Sequence, residues 1–354
     1  RTWPIGHGPK SWGTQLSQAA GPRAHRDRQR NGAGRQHGAV QSHVTAFNCR
    51  RRKHRGSQVR LPELDCRIAG LPTTYFFERL EVRVELFSGK TVVVSGGAEG
   101  IGFAIAQAVG REGMNVVITD ISPEMLKTAE TTLSDQGINV LAIKADARKE
   151  SDWNQVTNAA AETFGAIHAL VNNAGVGGSG STGPIEQHSA DDWQWTIDVN
   201  LMGVVFGMKS IVPHIKTAGG GWIINVASMA GMSGIPYAGA YNATKLAVAG
   251  LSEGWSMELA PFGIHVAALC PGFVKTRIYL SDRVRPSEYD DSHRSLVTSD
   301  NDLDPEKMAT GLSNEVKNGI DPDLLAERVI ESLRAGDPYI FTHPSFRDGV
   351  RERY

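Results

Sequence analysis

The chain has 354 residues, of which 40% are hydrophobic and 21% charged, with a net charge of −1, so it can build a substantial core in one large or two ordinary domains. Its three cysteines, Cys49, Cys66 and Cys270, show no paired or metal-like spacing, which excludes a disulfide scaffold or a zinc site and fits a reducing cytoplasm. No apolar run approaches the roughly 18 residues of a membrane span, so no membrane association is expected.

The near-zero charge conceals a split. Residues 1–80 carry 15 Lys and Arg against 4 Asp and Glu, a balance of +11, and the remainder carries 22 against 34, a balance of −12. Segment 1–83 is rich in Arg, Gly, His and Gln, includes the cluster RRRKHR at 50–55, and lacks sustained periodicity, so it reads as disordered. A basic arm of this kind would suit nucleic acid, an acidic membrane surface or an organelle address. The chain, however, opens at Arg1 and has its first methionine at Met114, so upstream sequence translated in frame is the expectation, with no nucleic-acid partner. Val84 is then a candidate start, and 84–354 the folded domain.

From Phe87 onward, short β-branched runs alternate with amphipathic stretches. Strands are expected at 91–94, 115–119, 140–145, 169–172, 222–227, 265–269 and 339–342, and the clearest helices at 101–112, 123–135 and 152–164. Ser122 before Pro123 is a helix start: a capping hydroxyl, then the favoured first-turn proline. Strand, helix and strand in this alternation predict an α/β fold, a doubly wound parallel sheet of about seven strands with helices on both faces.

The first strand runs directly into SGGAEGIG at 95–102 and then a helix. Gly96, Gly100 and Gly102, with Ser95, Glu99 and Ile101 among them, allow a tight turn and let the backbone approach a pyrophosphate at the helix N-terminus. Asp120 ends the second strand, eighteen residues past Gly102. It reads either as a turn acid or as a carboxylate for both ribose hydroxyls of an adenosine. With no Lys or Arg adjacent and with Glu99 opposing a 2′-phosphate, the expectation is NAD rather than NADP.

Farther along, Tyr241 and Lys245 lie four apart at a helix start and share a face. An ammonium beside a phenol would draw the tyrosine down from about 10 and make it a general acid/base. Ser228, after the apolar run 222–227, would offer a hydroxyl to a carbonyl or alcohol oxygen. Residues 277–321 form a long polar stretch where a substrate lid is expected, with 277–285 a short helix turning Ile278 and Leu280 inward and 290–306 mobile. His168, His188, His214 and His265 lack metal spacing, Cys270 reads as an inert buried thiol, and Trp193 and Trp195 as core or cleft residues. An apolar stripe of Ile197, Leu201, Val204, Val205, Met208, Ile211, Val212 and Ile215 follows at helical spacing.

Taken together, residues 86–345 resemble the short-chain dehydrogenase/reductase family in its compact single-domain Rossmann form. The likeness adds NNAG at 172–175, Asn200 within VNLMGV, Ser228 thirteen residues before Tyr241, and Pro271-Gly272 after the sixth strand. It implies reversible hydride transfer between NAD and a small-molecule secondary alcohol or ketone, with Tyr241 exchanging the proton. Lys245 would lower the Tyr241 pKa and hold the nicotinamide ribose, Ser228 would orient substrate, and Asn200 would support a relay water. It further implies that Ile121, Asp146 and Ala147 border the adenosine, that Asn173, Ala174 and Gly175 line the cofactor, and that Pro271, Gly272, Val274 and Thr276 meet the nicotinamide. Helix pairing into a homodimer or homotetramer is likewise implied by the resemblance. The rival readings are a non-catalytic dinucleotide sensor or scaffold, and nucleic-acid binding through the basic arm.

Overall fold

In the computed structural model the described residues are 86–178, 183–289, 305–346 and 350–351. All belong to the second of two compact units, Arg79–Tyr354. The basic segment 1–83 and the acidic stretch 290–304 lie outside the described residues.

Seven strands form one wholly parallel sheet in the order β3-β2-β1-β4-β5-β6-β7. They are β1 (Thr91–Ser95), β2 (Asn115–Asp120), β3 (Val140–Lys144), β4 (Ala169–Asn172), β5 (Gly221–Val226), β6 (Ile264–Cys270) and β7 (Tyr339–Phe341). The central strands have no polar face to show. In β1, Val92, Val93 and Val94 are all fully buried, as a parallel strand covered on both sides requires. Alternate residues then divide between two cores: Val92 and Val94 belong to one, Val93 to the other.

The first core is closed by α1 (Gly100–Arg111), α2 (Pro123–Asp135) and α9 (Pro322–Ala335), through Ile105, Val109, Leu126, Leu133, Val329 and Leu333. The second is closed by α3 (Glu150–Phe164), α5 (Gly203–Thr217) and α7 (Gly239–Leu259), through Trp153, Val156, Val204, Ile211, Ile215 and Val248. The start signal at Ser122 holds: its side chain accepts a hydrogen bond from the Met125 N–H, with Pro123 in the first turn. Asp321 and Pro322 repeat the device at α9, which ends on Gly336 at φ +69°.

Before α5 stands α4 (Ala190–Ile197), opened by Ser189 and Asp192 in a reciprocal capping box. The two are joined without a break by a π turn, Asp198–Met202, which carries Asn200 fully buried. Contrary to the sequence expectation, the stretch 190–217 is long and apolar enough to cross a membrane by length and composition. Half of its most apolar window is buried, Val204, Met208, Ile211 and Ile215 included, so the sheet accounts for that hydropathy. Those four residues of the expected pairing stripe are therefore spent on the chain's own core.

The strand order reverses between β1 and β4, so the loops leaving their carboxyl ends diverge and open a crevice. Two further elements stand near it. The short α6 (Met229–Met232) follows β5, and α8 (Pro305–Lys317) lies inside the stretch expected to be irregular. The sequence pair Asp304-Pro305 is a start signal for α8 that its sparse apolar content masks. The 277–285 helix appears as 3-10 turns over Ile278–Val284. Its expected facing is half corrected: Ile278 is partly buried, but Leu280 is 45% exposed and Ser281 takes the inward position, because the turns kink at Leu280, whose φ of −105° and ψ of 24° are non-helical.

Candidate active site

The crevice is a cavity of about 590 Å³ at the carboxyl ends of the strands. Its floor begins at the glycine turn. Gly96 and Gly100 take φ near +60° (+60° and +59°), and a Cβ on Gly102 would meet the Gly96 carbonyl oxygen at 2.2 Å, so this close approach of turn to helix requires glycine. Ser95 and Gly102 lie behind the cavity wall and shape it, while Gly96, Glu99, Gly100 and Ile101 line it. The Ser95 hydroxyl accepts hydrogen bonds from the Asn173 and Ala174 N–H groups (3.0 and 3.1 Å). The Asn173 amide donates back to the Ser95 and Gly96 carbonyls, both at 2.9 Å. Two turns from different strands are thereby fixed edge to edge, a backbone cradle that fits the phosphates of a dinucleotide.

Along the wall stand Asp120, Ile121, Asp146 and Ala147. Burial raises the Asp120 pKa, opposed by N–H donation from Ser122, Ala98 and Ile121 and by the charge of Arg277. The two readings of Asp120 thus coexist: one oxygen accepts from the Ser122 N–H at 3.1 Å, while the residue lines the cavity. At the rim, the Asp146 carboxylate accepts from Arg148 Nε at 2.9 Å and from the Arg148 main-chain N–H at 3.0 Å.

At the far end of the cavity, Asn173, Ala174 and Gly175 meet Ser228, Tyr241, Lys245 and the run from Pro271 through Gly272 and Val274 to Thr276. Ser228 follows β5 and caps α6, accepting from the Ala230 N–H at 3.1 Å, and hydrogen-bonds the Tyr241 phenol. Lys245 is 3% exposed, donates to the Val226 carbonyl at 2.8 Å and lies 5.6 Å from the centre of the Tyr241 ring. Asn200 does not line the cavity. Its amide brackets Val176 from behind, accepting from the N–H at 2.7 Å and donating to the carbonyl at 2.9 Å.

Burial dominates the electrostatics of the pair. Burial raises the Tyr241 pKa above its ordinary value, the Ser228 hydrogen bond opposing it, and burial lowers Lys245 to about 8. Desolvation disfavours the charged form of each, and the attraction that the sequence spacing suggested acts against it. A lysine whose folded value lies below its unfolded one stabilises the fold in its neutral form, and that contribution is lost as pH falls through about 8. The denaturation midpoint of the parent relative to Lys245→Met is therefore expected to rise between pH 8 and 10, by at most about 1.4 kcal/mol per pH unit. Cys270 is pushed up to about 12 by burial and, like Tyr241, acts with the opposite sign from its ordinary value upward, but in parent and variant alike. A difference that stays flat over that range would show Lys245 charged in the free protein.

The residues set aside at the outset are packed: His168 Nδ1 accepts from the Thr91 N–H at 3.1 Å, and the Cys270 thiol is fully buried. Trp195 lines the cavity at 1% exposure. Sequence reasoning missed Tyr237, whose φ of 62° is positive, beside the cavity-lining Ala238. It also missed Arg277 and Arg283, which come to the glycine turn from the far side of the chain and pair with Glu99. Absence of a basic residue next to Asp120 in sequence was therefore no guide to charge at the cavity mouth.

Comparison with known proteins agrees with this geometry. Residues 90–284 match the sequence profile of the family described as short chain dehydrogenase. A CLA biosynthesis dehydrogenase/reductase of Lactiplantibacillus plantarum is 33% identical over 270 residues, 75% of this chain and 92% of that one. A 3-alpha-(or 20-beta)-hydroxysteroid dehydrogenase of Mycobacterium tuberculosis is 40% identical over 188 residues, covering 53% of this chain and 70% of that one. A short chain dehydrogenase/reductase of Burkholderia phymatum, solved in complex with NAD, superposes with a TM-score of 0.70 at 32% identity, covering 75% of this chain and 92% of that one.

Proposed function

The chain belongs to the short-chain dehydrogenase/reductase family, and from that premise we propose that it transfers hydride reversibly between NAD and a small-molecule secondary alcohol or ketone. The observation that carries the reading is the convergence of the Ser228 hydroxyl, the Tyr241 phenol and the Lys245 amine in the same cavity as the glycine turn.

When bound, the nicotinamide supplies the two-electron hydride chemistry. Tyr241 takes the hydroxyl proton of an alcohol on oxidation and returns it to the carbonyl oxygen on reduction. Ser228, already bonded to the phenol, holds the same substrate oxygen and so fixes it against Tyr241. Lys245, when protonated, stabilises the phenolate that burial disfavours. A Cβ placed on Gly175 would lie 3.3 Å from Asn200 Oδ1 and 3.5 Å from Lys245 Nζ, so the two side chains flank one point. Asn200, which stands beside Gly175 and brackets Val176, is assigned the support of a water that relays the proton through Lys245.

NAD is the expected cofactor because Asp120 is partly satisfied by main-chain N–H groups yet faces the cavity, where a ribose diol is welcome and a 2′-phosphate is repelled. The half-buried Leu201 and Val205 of the π turn and α5, with exposed Met257 and Phe262, support assembly as a homodimer or homotetramer. Cys270, the one cysteine among the described residues, is a buried free thiol, which suits a cytoplasmic setting.

Purified protein offered NAD and a panel of cyclic and open-chain secondary alcohols is expected to produce NADH with at least one, and to favour NAD over NADP. Asp120→Ser with Ile121→Arg should move that preference toward NADP. A parent that already prefers NADP removes the Asp120 reading. Tight binding of NAD without turnover of any panel member would favour the sensor alternative.

A further inference from the structure

Glu99 stands immediately before Gly100, the first residue of α1, where a capping side chain would be expected. It does not cap the helix. Its carboxylate is instead turned outward to Arg277 and Arg283, one guanidinium on each oxygen: Arg277 Nε donates to Oε2 at 2.6 Å, and Arg283 pairs with Oε1. Arg283 is held in place from its own segment, and Arg277 follows Thr276, which packs on the glycine turn. Arg283 Nη1 donates to the Arg277 and Leu280 carbonyls at 3.0 and 3.2 Å, and a Cβ on Gly100 would lie 3.1 Å from the Thr276 methyl carbon. Two cations therefore meet one anion directly above a helix N-terminus that is itself partly positive.

We propose that Arg277 and Arg283 bind the pyrophosphate of the dinucleotide and that Glu99 is a built-in stand-in anion, holding the arginines over the glycine turn until the ligand takes its place. The inference deepens the dinucleotide reading of the cavity and rests on it. Both arginines and Glu99 line that cavity. The three side chains are 28 to 45% exposed, so the pairs are screened and weak enough to exchange. A diphosphate offers what Glu99 cannot: several oxygens for two planar guanidinium forks at once. The exchange also links two segments. The arginines bracket the 3-10 turns of Ile278–Val284, whose Ser281 hydroxyl accepts from the Gly177 N–H at 3.1 Å on the substrate side, so phosphate binding would steady the substrate wall.

The test measures binding rather than turnover, with ADP-ribose followed by titration calorimetry and adenosine by ligand-observed NMR. Arg277→Gln with Arg283→Gln should weaken ADP-ribose by about ten- to hundredfold, the scale of two charge-assisted contacts. Adenosine, which carries no phosphate, should bind the double variant as it binds the parent, which also shows that the variant is folded. Glu99→Gln should tighten ADP-ribose several-fold by removing the competitor. Equal ADP-ribose affinity in parent and double variant overturns the inference while leaving the dinucleotide reading intact. So does a loss confined to 2′-phospho-ADP-ribose, which would assign the arginines to a different phosphate, and so does Glu99→Gln weakening ADP-ribose. A parent that binds no ADP-ribose overturns both.

Discussion

Tyr241→Phe is expected to lower kcat by about 10²- to 10⁴-fold, the usual worth of a positioned general acid/base, while leaving NAD affinity and the thermal midpoint near those of the parent. The phenol is half-buried and bonds Ser228, so phenylalanine fills the same space and leaves Ser228 with its Ala230 N–H contact. Little stability is at stake, and the change isolates the hydroxyl. Lys245→Ala would be less clean, because it also opens a gap beneath Gly175 and frees the Val226 carbonyl. A Tyr241→Phe enzyme within a few-fold of the parent would mean that another group moves the proton, and the assignment would fall.

The largest loss of stability is expected at Arg285→Ala. Arg285 Nη1 meets the Asp192 carboxylate at 2.6 Å with both side chains almost wholly enclosed, 4 and 3% exposed, and its guanidinium lies 5.0 Å from the Trp195 ring centre. Arg285 Nε also donates to the Tyr289 carbonyl, and the Tyr289 hydroxyl donates to Asp198 at 2.9 Å, so one cation fastens residues 285–289 onto α4 and the π turn. Truncation leaves Asp192 buried without that cation, at a cost of about 3–5 kcal/mol by denaturant titration. Asp192→Leu added to Arg285→Met should recover part of the loss, because a hydrophobic pair carries no desolvation penalty although it gives up the Ser189 capping bond. A loss below about 1 kcal/mol would place this pair in contact with water.

How far the sequence reveals the molecule depends on the range of the interaction. β1, β2 and the glycine turn were legible because local pattern decides them: Val92–Val94 cannot be exposed, and Gly96 and Gly100 are needed where φ is positive. The seven-stranded parallel sheet followed from the alternation of such runs. Gly96, Asp120, Ser228, Tyr241 and Lys245 were named from spacing and do line one cavity. What spacing could not supply was the medium between Tyr241 and Lys245, since desolvation depends on everything packed around them. Contacts made across the chain were equally hidden: Glu99 to Arg283 spans 184 residues, and Asp192 to Arg285 spans 93. α8 was passed over because its composition is polar, with Met308, Leu312 and Val316 the few apolar marks of its helical period.

The π turn at Asp198–Met202 has a bearing on how this protein can change. One surplus residue in a helix rotates everything beyond it by roughly 100°. Trp195 and Val199, on the near side or within the slip, look into the cavity, whereas Met208, Ile211 and Ile215 beyond it look into the core. Deleting a single residue there would regularise the helix and turn one of those two faces away from its target, so the length of this segment is far less free to drift than its composition. Substitutions at 195 and 199, by contrast, redraw the reaction chamber without disturbing the phase of the buried half. Divergence toward new substrates along this rod should therefore proceed by exchange of side chains and not by insertion or loss.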